Sequence, residues 1–222
     1  MCHTDVAALK AVQGRGPRKW PRVVQPACFA GTGLAFQATR LDIVGGQSLR
    51  DWHQTARGLV AKLLLLDIDG TLTDATTDWA GPELGWIQRY SVRDGEALLR
   101  LRAGGLAIAA LSRNRTRCAK ERVDALGIDS RWLGVRDKDA GLTEAMAAYA
   151  VDAVGIAYVG DGLEDADIFA RVGLGIAVHD AHPIARQAAH HVLARRGGDR
   201  AIEELESYLS EIGWLSPVAI HP

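Results

Sequence analysis

Asp67 and Asp69 stand one residue apart in Leu66-Asp67-Ile68-Asp69-Gly70-Thr71, where an apolar run stops abruptly. Two carboxylates at a buried strand end are costly unless a cation or a reaction needs them. Oxygen ligands of this kind suit Mg²⁺. An aspartate held against a metal can also attack phosphorus. A second acidic stretch follows Tyr158-Val159-Gly160: Asp161 sits at the strand edge, with Glu164, Asp165 and Asp167 close behind. Acids favour helix starts, so Asp165 and Asp167 read as capping charges, whereas Asp161 occupies the same strand-edge position as the first pair. Ser112 ends the apolar run Leu106–Leu111 beside a helix start, where a hydroxyl suits a phosphate oxygen or serves as an ordinary cap. Lys138 opens a helix, the end at which the helix dipole disfavours a cation. It therefore pairs with Asp137 or Asp139, or it meets an anion.

The elements that would position these groups alternate from about residue 62 onward. Leu63–Leu66 is a strand buried on both faces, as in the centre of a parallel sheet. Leu106–Leu111, Trp132-Leu133, Ile156–Val159 and Leu174–Val178 are further strands. Between them run helical patterns. One is capped by Asp94 and ends near Ala103 at Gly104-Gly105; one carries Ala119, Val123 and Leu126 and stops at Gly127; one carries Leu142, Ala145, Met146 and Tyr149. Ile202, Leu205, Leu209 and Ile212 mark a last amphipathic helix. The fold class is α/β, a doubly wound parallel sheet. Such a sheet gathers Asp67, Asp69, Ser112 and Asp161 on the rim formed by its strand carboxyl ends, where sites of open α/β sheets lie. Residues Asp74–Tyr90, with threonines and aromatics around Gly81-Pro82, read as a β-hairpin insertion, too short for a separate cap domain. Trp79 and Trp86 are expected to pack that hairpin. The site then lies open unless another subunit covers it.

With 26 basic and 27 acidic side chains the chain has a formal net charge of −1 and no basic stripe, which disfavours nucleic acid as a partner. Cys2, Cys28 and Cys118 are far apart and odd in number, forming neither a disulfide framework nor a zinc pattern. A reducing cytoplasm fits them best. No apolar run approaches the roughly 20 residues that span a bilayer, and no signal-peptide layout opens the chain. His179 and His182 fall in a turn before Pro183, and His190-His191 are expected at the surface rather than on a metal. Residues 1–60 are expected to form an N-terminal extension, and residues 61–222 the folded domain. Within the extension Val23-Val24 and Leu41–Val44 are weak strand candidates, and the lone Gly31-Thr32-Gly33 is not a nucleotide loop without its structural context.

The order Asp-x-Asp, Ser, Lys, Gly-Asp resembles the four motifs of the haloacid dehalogenase-like phosphatase superfamily. Within it, the chain is similar to the lidless group of 3-deoxy-D-manno-octulosonate 8-phosphate phosphatase and its relatives acting on nonulosonate phosphates. The matching residues are Asp67–Asp74, Val92-Arg93-Asp94-Gly95, Asp137-Lys138, Tyr158–Asp161, Ala177-Val178, Asp180–Pro183 and Gly197-Gly198. Two positions depart from the pattern: Ser112-Arg113-Asn114 stands where the family has Thr-Gly-Arg, and Gly162 where it has a second Asp. The resemblance implies a Mg²⁺-dependent phosphatase of a sugar-acid phosphomonoester, working through an aspartyl phosphate. It implies Asp67 as nucleophile and Asp69 as acid and base, with Ser112 and Lys138 binding phosphoryl oxygens. Asp67, Asp69 (through its backbone carbonyl) and Asp161 would hold the metal, and Arg93 or Arg113 would meet the substrate carboxylate. It also implies a homotetramer in which a neighbour's hairpin covers each site. A receiver domain is disfavoured because its metal-binding acids precede the phospho-accepting Asp. The remaining alternative is a catalytically weak, oligomerising module, like the C-terminal domain of animal acylneuraminate cytidylyltransferase.

Overall fold

The computed structural model describes residues 60–215, together with two short strands, β1 (Ile43–Val44) and β2 (Gln47–Ser48), which pair antiparallel. Thus Ile43-Val44, from the weak candidates, forms a paired strand. The Val23-Val24 candidate, the Gly31-Thr32-Gly33 stretch, Cys2, Cys28 and the fold of the extension lie outside the described residues.

The leucine run forms β3 (Leu63–Leu66), and all of its side chains are fully buried. A strand can be apolar on both faces only when helices cover both. The chain then runs through β4 (Asp78–Trp79), β5 (Trp86–Ile87), α1 (Val92–Ala103), β6 (Ala107–Ser112), α2 (Arg117–Ala125), β7 (Asp129–Leu133) and α3 (Lys138–Tyr149). It continues through β8 (Ile156–Gly160), α4 (Asp165–Phe169), β9 (Leu174–Ala177), α5 (Pro183–Ala188), β10 (His191–Val192) and α6 (Ala201–Glu211). Six strands make one parallel sheet in the order β10-β9-β8-β3-β6-β7. From β3 the chain steps outward to β6 and β7, then returns to the other side of β3 for β8. The order therefore reverses at the carboxyl end of β3, where a crevice opens in folds of this kind. β4 and β5 form the expected hairpin, apart from the main sheet.

Local chemistry explains most helix starts. Ser91 caps α1, accepting from the Asp94 amide at 3.2 Å, and Thr116 caps α2 in the same way. The expectation that Asp94 caps its own helix is corrected. Asp94 is buried, and its Oδ1 accepts from the Ile202 and Glu203 amides at 2.9 and 3.3 Å, so it caps α6 across the helix pair. The residue before α6, Arg200, is in the left-handed region (φ 64°) and offers no side-chain cap, which leaves the role to Asp94. His190 is also corrected: it is buried, and its Nδ1 accepts from the Gly175 amide at 2.8 Å. His182 caps α5 at the Ile184 amide. Among the described residues no helix is long and apolar enough to cross a membrane.

Candidate active site

The carboxyl end of β3 builds the floor of the site. The Asp67 amide donates to Val159 O at 3.0 Å, extending the β3–β8 ladder by one residue. The chain then turns tightly: the Leu72 and Thr73 amides both donate to Ile68 O, at 3.0 and 3.1 Å. The Thr73 hydroxyl accepts from the Gly70 amide at 3.2 Å and closes the loop. Gly70 has φ +76°, and a Cβ there would lie 2.1 Å from Asp161 Oδ2, so only glycine lets the two acidic loops approach. Gly197 supports the loop from outside; a Cβ on it would meet Gly70 O at 1.8 Å.

Lys138, the first residue of α3, is set by the Asp137 cap, whose Oδ1 accepts from the Asp139 and Ala140 amides. Its ammonium reaches neither neighbouring acid in sequence. It donates to Asp67 Oδ2 at 2.7 Å, Asp165 Oδ1 at 2.6 Å and Tyr158 Oη at 3.1 Å, all buried. Burial disfavours the ammonium, but the Asp67 and Asp165 carboxylates outweigh it and hold the Lys138 pKa above its usual value. Asp165, which sequence spacing assigns to an ordinary helix start, is instead part of this buried network. It is fully buried; its Oδ1 also accepts from the Tyr158 hydroxyl at 2.6 Å, and its Oδ2 from the Asp161 and Gly162 amides at 2.9 and 2.8 Å. Tyr158, a lone hydroxyl within an apolar strand, was the available signal for such a network.

A cleft of about 370 Å³ opens on this rim, lined by Asp67, Asp69, Ser112, Arg113, Lys138, Asp161 and Asp165 among others. The structure thus brings together every predicted site residue except Arg93. That residue is on the exposed first turn of α1, 3.5 Å from Glu96, and does not line the cleft. Arg113 stands at the mouth, paired with Glu164 at 2.5 Å. Ser112 is buried and accepts from the Asn114 amide at 3.1 Å. Asp69 is exposed, and its Oδ1 accepts from Gln88 Nε2 at 2.5 Å and Asn114 Nδ2 at 2.7 Å. Oxygens of Asp67, Asp161 and Asp165 lie within 4.8 Å of one another, an arrangement that could hold a metal ion. Burial, then the nearby Asp67 and Asp165 charges, push the Asp161 carboxyl up to about 7. Burial likewise raises Asp67, against the pull of Lys138.

A family model described as haloacid dehalogenase-like hydrolase matches residues 134–199, which include Lys138 and Asp161. The 3-deoxy-D-manno-octulosonate 8-phosphate phosphatase of Yersinia pestis is 32% identical over 144 residues, covering 65% of this chain and 76% of that protein. This chain belongs to the haloacid dehalogenase-like hydrolases. The Yersinia pestis enzyme's crystal structure superposes with a TM-score of 0.67 at 31% identity, over 74% of this chain and 88% of that one. The cobalt-bound deoxy-D-mannose-octulosonate 8-phosphate phosphatase from Haemophilus influenzae gives 0.63 at 31% identity, over 68% and 88%. As a haloacid dehalogenase-like enzyme of this kinship the protein is a phosphoric monoester hydrolase. Its hairpin is short and open: Trp79 and Trp86 pack edge to face at 5.3 Å, yet remain 57% and 52% exposed.

Proposed function

We propose that the enzyme hydrolyses the phosphomonoester of an acidic sugar, of the 3-deoxy-octulosonate 8-phosphate or nonulosonate 9-phosphate type, with Mg²⁺ as cofactor. The observation that carries this reading is the buried Asp67–Lys138 pair at 2.7 Å beside Asp161, whose carboxyl is pushed up to about 7. The cleft holds more acid than its single lysine neutralises, which is the chemistry of a divalent-cation site. Asp165 is saturated by four protein donors, so Asp67, Asp161 and the Asp69 backbone carbonyl are the proposed ligands. Bound there, the cation supplies neutralisation of phosphoryl charge.

The chain's own residues divide the rest of the work. Asp67 attacks phosphorus in line while the bond to the sugar oxygen breaks, giving an aspartyl phosphate. Asp69 gives its proton to the departing oxygen. As carboxylate it then takes one from the water that cleaves the Asp67 O–P bond and releases phosphate. The Ser112 hydroxyl and Lys138 ammonium bind equatorial oxygens, where transition-state charge resides. Arg113, at the mouth, is placed to meet the sugar carboxylate by exchanging it for Glu164. Arg93 could do so only for a neighbouring subunit's site. The exposed Trp79, Leu84, Trp86 and Ile87 support assembly into an oligomer, proposed as a tetramer, with hairpins over neighbouring sites. The relatives compared above are phosphatases, and the alternative of a catalytically weak module draws no support from them.

The test is phosphate release with Mg²⁺ from a panel of phosphorylated sugar acids, beside the Asp67→Asn variant. Turnover of an acidic sugar phosphate, lost by about 10³-fold or more in the variant, is expected. Retained turnover would remove Asp67 from its role; no turnover on any member by the metal-loaded protein would sink the substrate class.

A further inference from the structure

We propose that Gln88 and Asn114 are positioning residues for Asp69, fixing which carboxylate oxygen handles the proton; this rests on the phosphatase reading above. Asp69 lies on the exposed rim, where a free carboxylate would sample several rotamers. Here two amides hold one oxygen: Gln88 Nε2 donates to Oδ1 at 2.5 Å and Asn114 Nδ2 at 2.7 Å. Among the described residues Oδ2 takes no donor and is left for the leaving oxygen and the water.

The amide orientations follow from their other partners. Asn114 Oδ1 accepts from the Thr116 amide at 2.8 Å, and a backbone N–H can only donate. The Asn114 NH₂ group must therefore face Asp69. It also donates to Gln88 Oε1 at 2.9 Å, which fixes the Gln88 nitrogen toward Asp69 in turn. The Tyr90 hydroxyl donates to the same Gln88 oxygen at 3.2 Å. Gln88 directly follows the hairpin strand β5, and Asn114 lies two residues beyond β6 of the main sheet. The clamp thus ties the hairpin to the sheet through the proposed acid. Asn114 replaces the arginine of the family pattern, and an arginine could not provide the carbonyl that accepts from Thr116.

A misplaced general acid slows phosphoryl transfer to Asp67, the step that kcat/KM reads, only where the leaving group needs a proton; the water-activating role of Asp69 comes after that step. Comparing kcat/KM for an alkyl phosphate (3-deoxy-octulosonate 8-phosphate) with that for 2,4-dinitrophenyl phosphate separates this role from phosphate binding or folding. Gln88→Met keeps size and removes the amide on a partly exposed residue; Asn114→Ala is the second variant, and both are checked for native circular dichroism. The expected result is a loss of roughly 10-fold to 100-fold on the sugar phosphate and under about 2-fold on the aryl ester. Asp69→Asn, run alongside, should show the same selectivity more strongly. Equal losses on both substrates, or none on either, in folded Gln88→Met would overturn the clamp. If Asp69→Asn itself shows no leaving-group dependence, the acid assignment fails, and the clamp with it.

Discussion

The two ends of the parallel sheet carry clefts of opposite character. At the strand amino ends a space of about 570 Å³ is lined by Arg102, Asp124, Asp129 and Tyr149, among others. At the carboxyl ends the cleft is smaller, about 370 Å³, and holds the acids described above. In the larger space each charge has a nearby partner. Asp124 pairs with Lys120 at 2.6 Å and Arg102 donates to Leu126 O at 2.7 Å. Burial opposes ionisation of Asp129, but Arg131 and Tyr149 hold its carboxyl below the usual range. In the smaller space Asp161 is driven the other way, to about 7, by burial and by like charges. Size does not set the two ends apart; uncompensated charge does, and a bound proton or a ligand relieves it.

The contrast is sharpened most by removing the uncompensated acid. Asp161→Asn should lower Mg²⁺-dependent phosphate release by at least about 10³-fold at fixed metal. The same change removes a repelling charge, so the metal-free variant should be as stable as the wild type or more so in urea unfolding. A variant that lost both activity and metal-free stability would show that Asp161 serves packing, and the contrast would fail.

Breaking the compensated part of the same cleft should have the opposite sign. Lys138→Met leaves Asp67 and Asp165 buried beside each other without their counter-charge. Removing one partner of a buried pair typically costs about 3–5 kcal/mol, and urea unfolding without metal should show a loss of that order. Mg²⁺ should restore part of it through Asp67. A loss of about 1 kcal/mol or less would mean that water already reaches the pair.

The motif acids were legible in sequence and their partners were not. The leucine run before Asp67 announces a buried strand, and Gly70 and Thr73 are required by a turn whose bonds are all local. Lys138, in contrast, meets Asp67 from 71 residues away and Asp165 from 27. Local rules suggested Asp137 or Asp139, which instead cap the helix or face outward, Asp139 toward Arg171 at 2.6 Å. Asp94 failed for the same reason: a third-position acid suits its own helix, yet the free amides it serves belong to α6. Gln88 carried no signal and Asn114 only its departure from the family pattern, since amides are common in loops and their geometry exists only after the hairpin docks.

A pH titration reads the contrast without mutation. The Asp161 carboxyl binds its proton more tightly in the folded chain than the roughly 3.9 of a free aspartate allows. Between that value and about 7 the unfolded state therefore holds fewer protons than the folded one, and folding stability falls as pH rises. In EDTA the Tm should decline across this window, with saturating Mg²⁺ opposing the decline. Asp161→Asn should reduce the metal-free slope to what the other carboxyls raised by burial, Asp67 and Asp94, contribute. A Tm that rose with pH in the absence of metal would contradict the assignment.

The smallest effect is expected at the other end of the sheet. Asp129 is bonded to Arg131 at 2.5 Å and to the Tyr149 hydroxyl at 2.9 Å, on the edge strand β7. Its partner Arg131 is 57% exposed, so water replaces much of what an ion pair provides, and such pairs contribute up to about 1 kcal/mol. The tyrosine bond adds a similar amount. Asp129→Ala should therefore cost no more than about 2 kcal/mol in urea unfolding, with kcat, KM and the Mg²⁺ requirement unchanged. The cleft there is the more spacious of the two, so volume alone would favour it as a binding site. A shift in KM or metal dependence in this variant would place function at the amino ends of the strands and make charge compensation the wrong criterion for this fold.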